Sequence, residues 1–297
     1  MACINDIKQT FLNKKSKKIH IWQSEGNSHK LDFMYKPIIN SLLEFIKNNI
    51  NIIVEYKYNN YDNEEIQPND ILLWVGCENI PDFSYFKDKN IYTIYYNTEP
   101  DYANFNSDEI WTYSKYLLNN YTKNENQIIR FFPIVCENTN HYIPYNFKNN
   151  DNIKLIFMGN LNYRHEKKGI LFNNPIIKDN LIEIYNVWND EDYNNLISNS
   201  PNIFLNLTKG NTVILPSVRI NKLLSHKCII ISEHTNNIDE EFYKDIIYFC
   251  EINEIGNIYK ILINKSAQEL EIESNEKYKK FYNIFNSKNI VNLITQK

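Results

Sequence analysis

The chain has 297 residues, 43% hydrophobic and 23% charged, with a net charge of −4. That length suits two domains or one large α/β unit. The balance excludes a disordered acidic tail and a dedicated nucleic-acid binder, which would carry a basic surplus.

Short apolar runs alternate with amphipathic stretches from the start. Lys18–Gln23 reads as a strand, followed by a turn at Ser24 to His29 and a helix to about Lys47 with Phe33, Ile38, Leu42, Phe45 and Ile46 as its stripe. Further strands are expected over Asn51–Tyr56, Ile71–Val75 and Ile91–Tyr96. Glu109–Tyr113 runs into a helix, and Ile128–Val135 is the last strand of the first series. Strands apolar enough to be covered on both faces, alternating with helices, predict a parallel sheet.

The polar stretch Tyr145–Asn152 reads as a linker, and a second series follows it. Ile153–Met158 is a strand ended by Gly159, and Asn160 to Arg164 opens a helix. Leu181–Tyr185 is a strand running into Asn186, Val187 and Trp188, and Asp190–Ser198 is an amphipathic helix. Ile203–Leu207 is a strand ended by Thr208, Lys209 and Gly210, and Pro216–Ser225 is a helix with proline in its first turn. Cys228–Ser232 and Ile246–Phe249 are the last strands, and from about Ile255 the chain is helical and charged. The expected fold is α/β, with two Rossmann-like doubly wound domains facing a cleft and ligand bound at the carboxyl ends of the strands. The boundaries read as 1–145, 153–265, and a helical segment 266–297 packing back toward the first domain.

No stretch is long and apolar enough for a membrane span, and the Lys-rich start lacks the apolar core of a signal peptide. Five cysteines form no C-x-x-C pair, so a reduced, cytoplasmic protein is expected.

The chain has 50 Asn against 6 Gly, and only three Arg (Arg130, Arg164 and Arg219), the pattern of coding drift toward A+T. Where Lys or Asn can do the work the chain has switched, so the remaining Arg and Gly locate special positions. Gly26, Gly76, Gly159 and Gly210 follow expected strands, where glycine lets the chain turn or lets backbone approach a ligand. None belongs to a G-x-G-x-x-G or P-loop motif, which excludes the commonest dehydrogenase and kinase signatures. Arg164 and Arg219 open helices, where free N–H groups and the dipole already favour anions. Arg130 sits inside an apolar strand and reads as structural. Glu25, His29, Glu99, Glu233 and His234 stand at strand ends as candidate acids and bases. No Cys/His cluster or H-x-x-x-H is present, so no metal site is expected.

Lys154–Ile170, Tyr185–Leu207 and Ile214–Glu233 together resemble the nucleotide-sugar half of GT-B glycosyltransferases. The nearest variety carries V-R-x-x-x-L-L followed by an apolar strand and S-E, here Val218-Arg219, Leu223-Leu224 and Ser232-Glu233. Tyr96 to Glu99, Ile110 to Ser114 and Phe132-Pro133 fit the first half more loosely. The resemblance implies a transferase moving a sugar from a UDP- or GDP-sugar to a hydroxyl of a glycan or other acceptor, without a metal ion. It implies that Gly159, Asn160 and Arg164 line the diphosphate, and that Val187 and Trp188 read the nucleobase. Lys209, Gly210, Asn211 and Thr212 would stand near the donor sugar, Arg219 at the phosphates, and Glu233 at the cleft edge. Glu25 and His29 would supply the base for the acceptor hydroxyl. The Glu-x7-Glu pair of many retaining relatives reads Asn211 and Arg219 here, and Pro216 replaces an often acidic residue, so the stereochemical outcome stays open. The alternative is a catalytically inactive GT-B-like module that binds a sugar nucleotide or glycan. A third possibility is a sugar-nucleotide epimerase.

Overall fold

The computed structural model describes Ile7, Gln9 and residues 18–23, 35–59, 61–77, 79–98, 105–121, 124–136, 153–185, 187, 190–198 and 203–295. The chain divides into two units, residues 1–135 with 285–297, and residues 136–284.

The first unit is built on six parallel strands: β1 (Lys18–Gln23), β2 (Ile53–Tyr58), β3 (Ile71–Val75), β4 (Tyr92–Asn97), β5 (Glu109–Thr112) and β6 (Ile128–Phe131), in the order β2-β1-β3-β4-β5-β6. Helix α1 (Lys36–Asn49) follows β1, α2 (Phe83–Asp88) joins β3 to β4, and α3 (Lys115–Asn120) joins β5 to β6. Strand β3 is buried along its whole length, as a central parallel strand must be. Edge strand β2 has only exposed and half-buried residues, with Ile53 68% exposed, because it has a neighbour on one side only. Trp22, Trp74, Phe83, Phe86 and Tyr95 pack one core cluster. Elsewhere in the unit the Trp111 and Phe132 rings stack 5.1 Å apart. Arg130 holds the buried Glu109 through two bonds of 2.8 and 3.2 Å, and Trp111 Nε1 and Tyr92 Oη donate to the same carboxylate at 2.8 and 2.9 Å. That arginine is structural.

The second unit has five parallel strands: β7 (Leu155–Met158), β8 (Leu181–Ile184), β9 (Ile203–Asn206), β10 (Ile229–Glu233) and β11 (Tyr248–Cys250), ordered β11-β10-β9-β7-β8. A 3₁₀ turn (Leu161–Arg164) runs into α4 (His165–Phe172), followed by α5 (Pro175–Asn180) and, after β8, α6 (Asp190–Ser198). Helix α7 (Ser217–Ser225) links β9 to β10, and a single turn α8 (Asn237–Glu240) precedes β11. Then come α9 (Ile255–Ile263) and α10 (Ala267–Phe285), while α11 (Ile290–Thr295) belongs to the first unit.

Two differences from the sequence reading have physical causes. Helices α2 and α5 carry six residues each, too few to show a helical period. The strand expected over Cys228–Ser232 covers Ile229–Glu233, which makes Glu233 a buried strand residue, 5% exposed.

Candidate donor site at the strand ends of the second unit

Strands β10, β9 and β7 are parallel neighbours, so their carboxyl ends share one edge of the sheet. There the chain places Glu233 as the last residue of β10, Thr208 just past β9, and Gly159 just past β7. Glu233 Oε1 accepts from Thr208 Oγ1 at 2.8 Å and from the Thr208 N–H. Lys167, one helical turn beyond Arg164, reaches the same cluster. Its Nζ lies 2.7 Å from Glu233 Oε1, 2.8 Å from Thr208 Oγ1 and 3.0 Å from the Thr208 carbonyl.

Arg164 Nε donates to the Thr208 carbonyl at 3.0 Å and Nη1 to the Asn160 carbonyl at 2.9 Å. Its guanidinium lies 5.0 Å from the centre of the Phe157 ring. Gly159 makes room for that ring: a Cβ built there would meet Phe157 Cζ at 3.0 Å, and the backbone φ of +153° is one side chains rarely adopt. Burial pushes the Arg164 pKa down to about 10, and the positive charge of Arg219 pushes the same way against Glu233 and Glu183. Arg164 stays charged at neutral pH, and Arg219, in the first turn of α7, is close enough to repel it. No side chain caps the N-terminus of α7, whose N-cap is Pro216.

The loop after β7 uses its own amides. The Gly159 N–H donates to the Ile184 carbonyl at 2.8 Å, Leu161 N–H to Glu183 Oε1 at 2.7 Å, and Asn162 N–H to Asn160 Oδ1 at 2.8 Å. These three backbone donors are therefore already used within the protein.

No protein-family model matches the sequence, and no curated protein does. Solved structures do. The chain is similar to an alpha1,3-fucosyltransferase at 13% identity, over 94% of this chain and 89% of that one, with a TM-score of 0.51. It is similar to apo OtsA at 8% identity, over 95% of this chain and 100% of that one, with a TM-score of 0.53. The fold is GT-B. The chain also spans 55% of the TarM chain, matching over 77% of its own length at 10% identity and a TM-score of 0.45.

Within this GT-B fold, Arg164 and Glu233 meet at Thr208, Asn160 joins them through its bond to Arg164, Gly159 lies against the Phe157 ring beneath Arg164, and Arg219 is within electrostatic reach of Arg164. Lys209, Gly210 and Asn211 form an exposed turn directly after Thr208, with Lys209 Nζ 5.9 Å from the centre of the Tyr163 ring. Val187 is half-buried beyond β8, while Trp188, Glu25, His29 and Glu99 lie outside the described residues. Sequence reasoning missed Lys167 and Thr208. An Arg-x-x-Lys spacing on the opening of one helix was the available signal, because residues three apart share a face. His234 is more than a loop residue: its Nδ1 lies 3.0 Å from Glu240 Oε2 and its ring stacks on Phe249 at 6.1 Å.

Proposed function

We propose that the chain is a glycosyltransferase that moves a sugar from a UDP- or GDP-sugar to a hydroxyl of a glycan or other acceptor, in the cytoplasm and without a metal ion. The observation that carries this reading is the cluster of cations at the strand ends, where Arg164 and Lys167 share the Thr208 carbonyl and the positive charge of Arg219 bears on Arg164. An anion there relieves that repulsion, and a diphosphate supplies two adjacent anionic groups. The GT-B fold supports the same assignment by analogy.

In this reading the bond between the anomeric carbon and the diphosphate oxygen breaks, and the electron pair stays with the leaving nucleoside diphosphate. Arg164, Arg219 and Lys209 stabilise that developing charge, the work a divalent ion does in other transferases. Glu233 acts through Lys167 and Thr208, fixing the loop that carries Lys209 and Asn211 beside the donor sugar. Asn160 holds Arg164 through its carbonyl, and Val187 and Trp188 border the nucleobase. The acceptor oxygen attacks the anomeric carbon and gives its proton to His29 or Glu25.

Titration calorimetry with UDP and GDP in EDTA tests the donor site. The wild-type chain is expected to bind at least one of them. Folded Arg219→Ala is expected to bind it about 1.5–3 kcal/mol more weakly, roughly 10- to 150-fold, the worth of a charge-assisted hydrogen bond. Unchanged affinity in that variant removes Arg219 from the site, and binding that needs added Mg²⁺ removes metal independence.

A further inference from the structure

On the second unit, away from the strand ends that hold the arginines, an open and largely charged cavity of about 670 Å³ lies between β11 and α10, where Tyr248, Phe249 and Ile272 meet Lys265, Glu273 and Lys277. Lys277 is 8% exposed, an unusual place for an ammonium group. Its Nζ donates to the Ile246 carbonyl at 3.0 Å and sits 3.9 Å from the centre of the Tyr248 ring. The nearest carboxylate, Glu273, is 3.8 Å away and already engaged by Lys265 at 2.6 Å and by the Tyr248 hydroxyl. Lys277 is thus buried beside a carboxylate that it shares with Lys265 and the Tyr248 hydroxyl, on the wall of a cavity wide enough for a small molecule.

We propose that this cavity is a covalent ligand site in which the Lys277 amine takes a small aldehyde as an imine. The Nζ lone pair attacks the carbonyl carbon, a C–N bond forms, and the C=O electron pair moves to oxygen. Both amine protons pass to that oxygen, it leaves as water, and a C=N bond remains. Two features suit the step. A desolvated lysine is the group that makes imines with carbonyl compounds. Glu273, 3.8 Å from Nζ, is placed to relay the protons through one water.

The charges around the amine agree. Burial pushes the Lys277 pKa down to about 8, Lys280 and Lys265 add to the fall, and Glu273 and Asp245 oppose it. A lowered amine pKa means that the neutral, nucleophilic form is present above about pH 8. At pH 7.5 such an amine is neutral about two orders of magnitude more often than an ordinary lysine.

The test uses pyridoxal, an aldehyde without a phosphate to draw it to the arginines, with borohydride trapping and peptide mapping of the full-length chain. Lys277 is expected to be labelled at least about tenfold faster than Lys244, whose side chain is 66% exposed, and its rate is expected to rise through pH 8. Ile272→Trp, at a cavity-lining residue 51% exposed, is expected to slow labelling of Lys277 and leave Lys244 unchanged. Lys277→Arg, if folded, is expected to lose the label. Labelling of Lys277 no faster than of Lys244, rising only near pH 10, overturns the proposal, as does an Ile272→Trp chain labelled at the wild-type rate.

Discussion

Asparagine does for this chain what glycine does for most. Among the described residues, Asn59, Asn69, Asn79, Asn90 and Asn126 have φ between 52° and 74°, the left-handed turn conformation that asparagine tolerates best after glycine. The shortage of glycine is therefore no shortage of turns. Gly159, at φ +153°, lies beyond what an asparagine adopts, and its missing Cβ clears the Phe157 ring near Arg164. Gly210, at φ +54° with nothing within 4 Å, lies in the range that the five asparagines already occupy. Gly159→Asn is expected to cost about 1–3 kcal/mol, and Gly210→Asn less than about 0.5 kcal/mol, both read from urea unfolding. Equal costs at the two positions would refute the steric account of Gly159. The same scarcity made Arg164 and Arg219 legible from sequence. Lys167 was hidden among 29 lysines, and Thr208 has no distinguishing pattern around it.

Strands were the most legible elements, since Ile71–Val75 and Lys18–Gln23 are apolar runs bounded by polar turns and occupy the residues expected of them. The six-residue helices α2 and α5 were not legible, and one of them explains another glycine. Asn174 caps α5 by accepting from the Ile176 and Ile177 N–H groups at 3.1 and 3.5 Å. A Cβ on Gly256, in the first turn of α9, would lie 2.0 Å from Asn174 Nδ2. The two helices meet through that cap, a contact between residues 82 positions apart that no local pattern announces. Gly256→Ala is expected to push the cap aside and lose about 1 kcal/mol, lowering the urea midpoint with the slope unchanged. Gly169→Ala, in α4 with nothing within 4 Å of its Cβ, is the control. It is expected to gain about 0.5–1 kcal/mol, the ordinary helix preference for alanine. Loss in both variants would point to helix effects alone.

At the scale of the molecule, a chain of net charge −4 gathers Arg164, Lys167, Lys209 and Arg219 around the strand ends of one unit, against Glu183 and Glu233. A local excess of cations in an acidic protein is what the proposed donor site requires. The two parallel sheets were legible because each strand-and-helix series repeats the same alternation of apolar runs. The catalytic pair expected after β1, Glu25 and His29, lies outside the described residues, so its role rests on sequence. Under the proposed function, binding and chemistry separate by unit. Donor affinity should depend on residues of the second unit, and proton removal from the acceptor on the segment between β1 and α1 of the first. His29→Ala is expected to lower kcat by about 10²- to 10⁴-fold, the usual worth of a general base, with the nucleoside-diphosphate Kd unchanged by calorimetry. Arg219→Ala is expected to raise that Kd, so the two variants move different constants. A fully active His29→Ala chain retires that histidine as base and leaves Glu25. A His29→Ala chain with weakened nucleotide binding places the segment after β1 in the donor site instead.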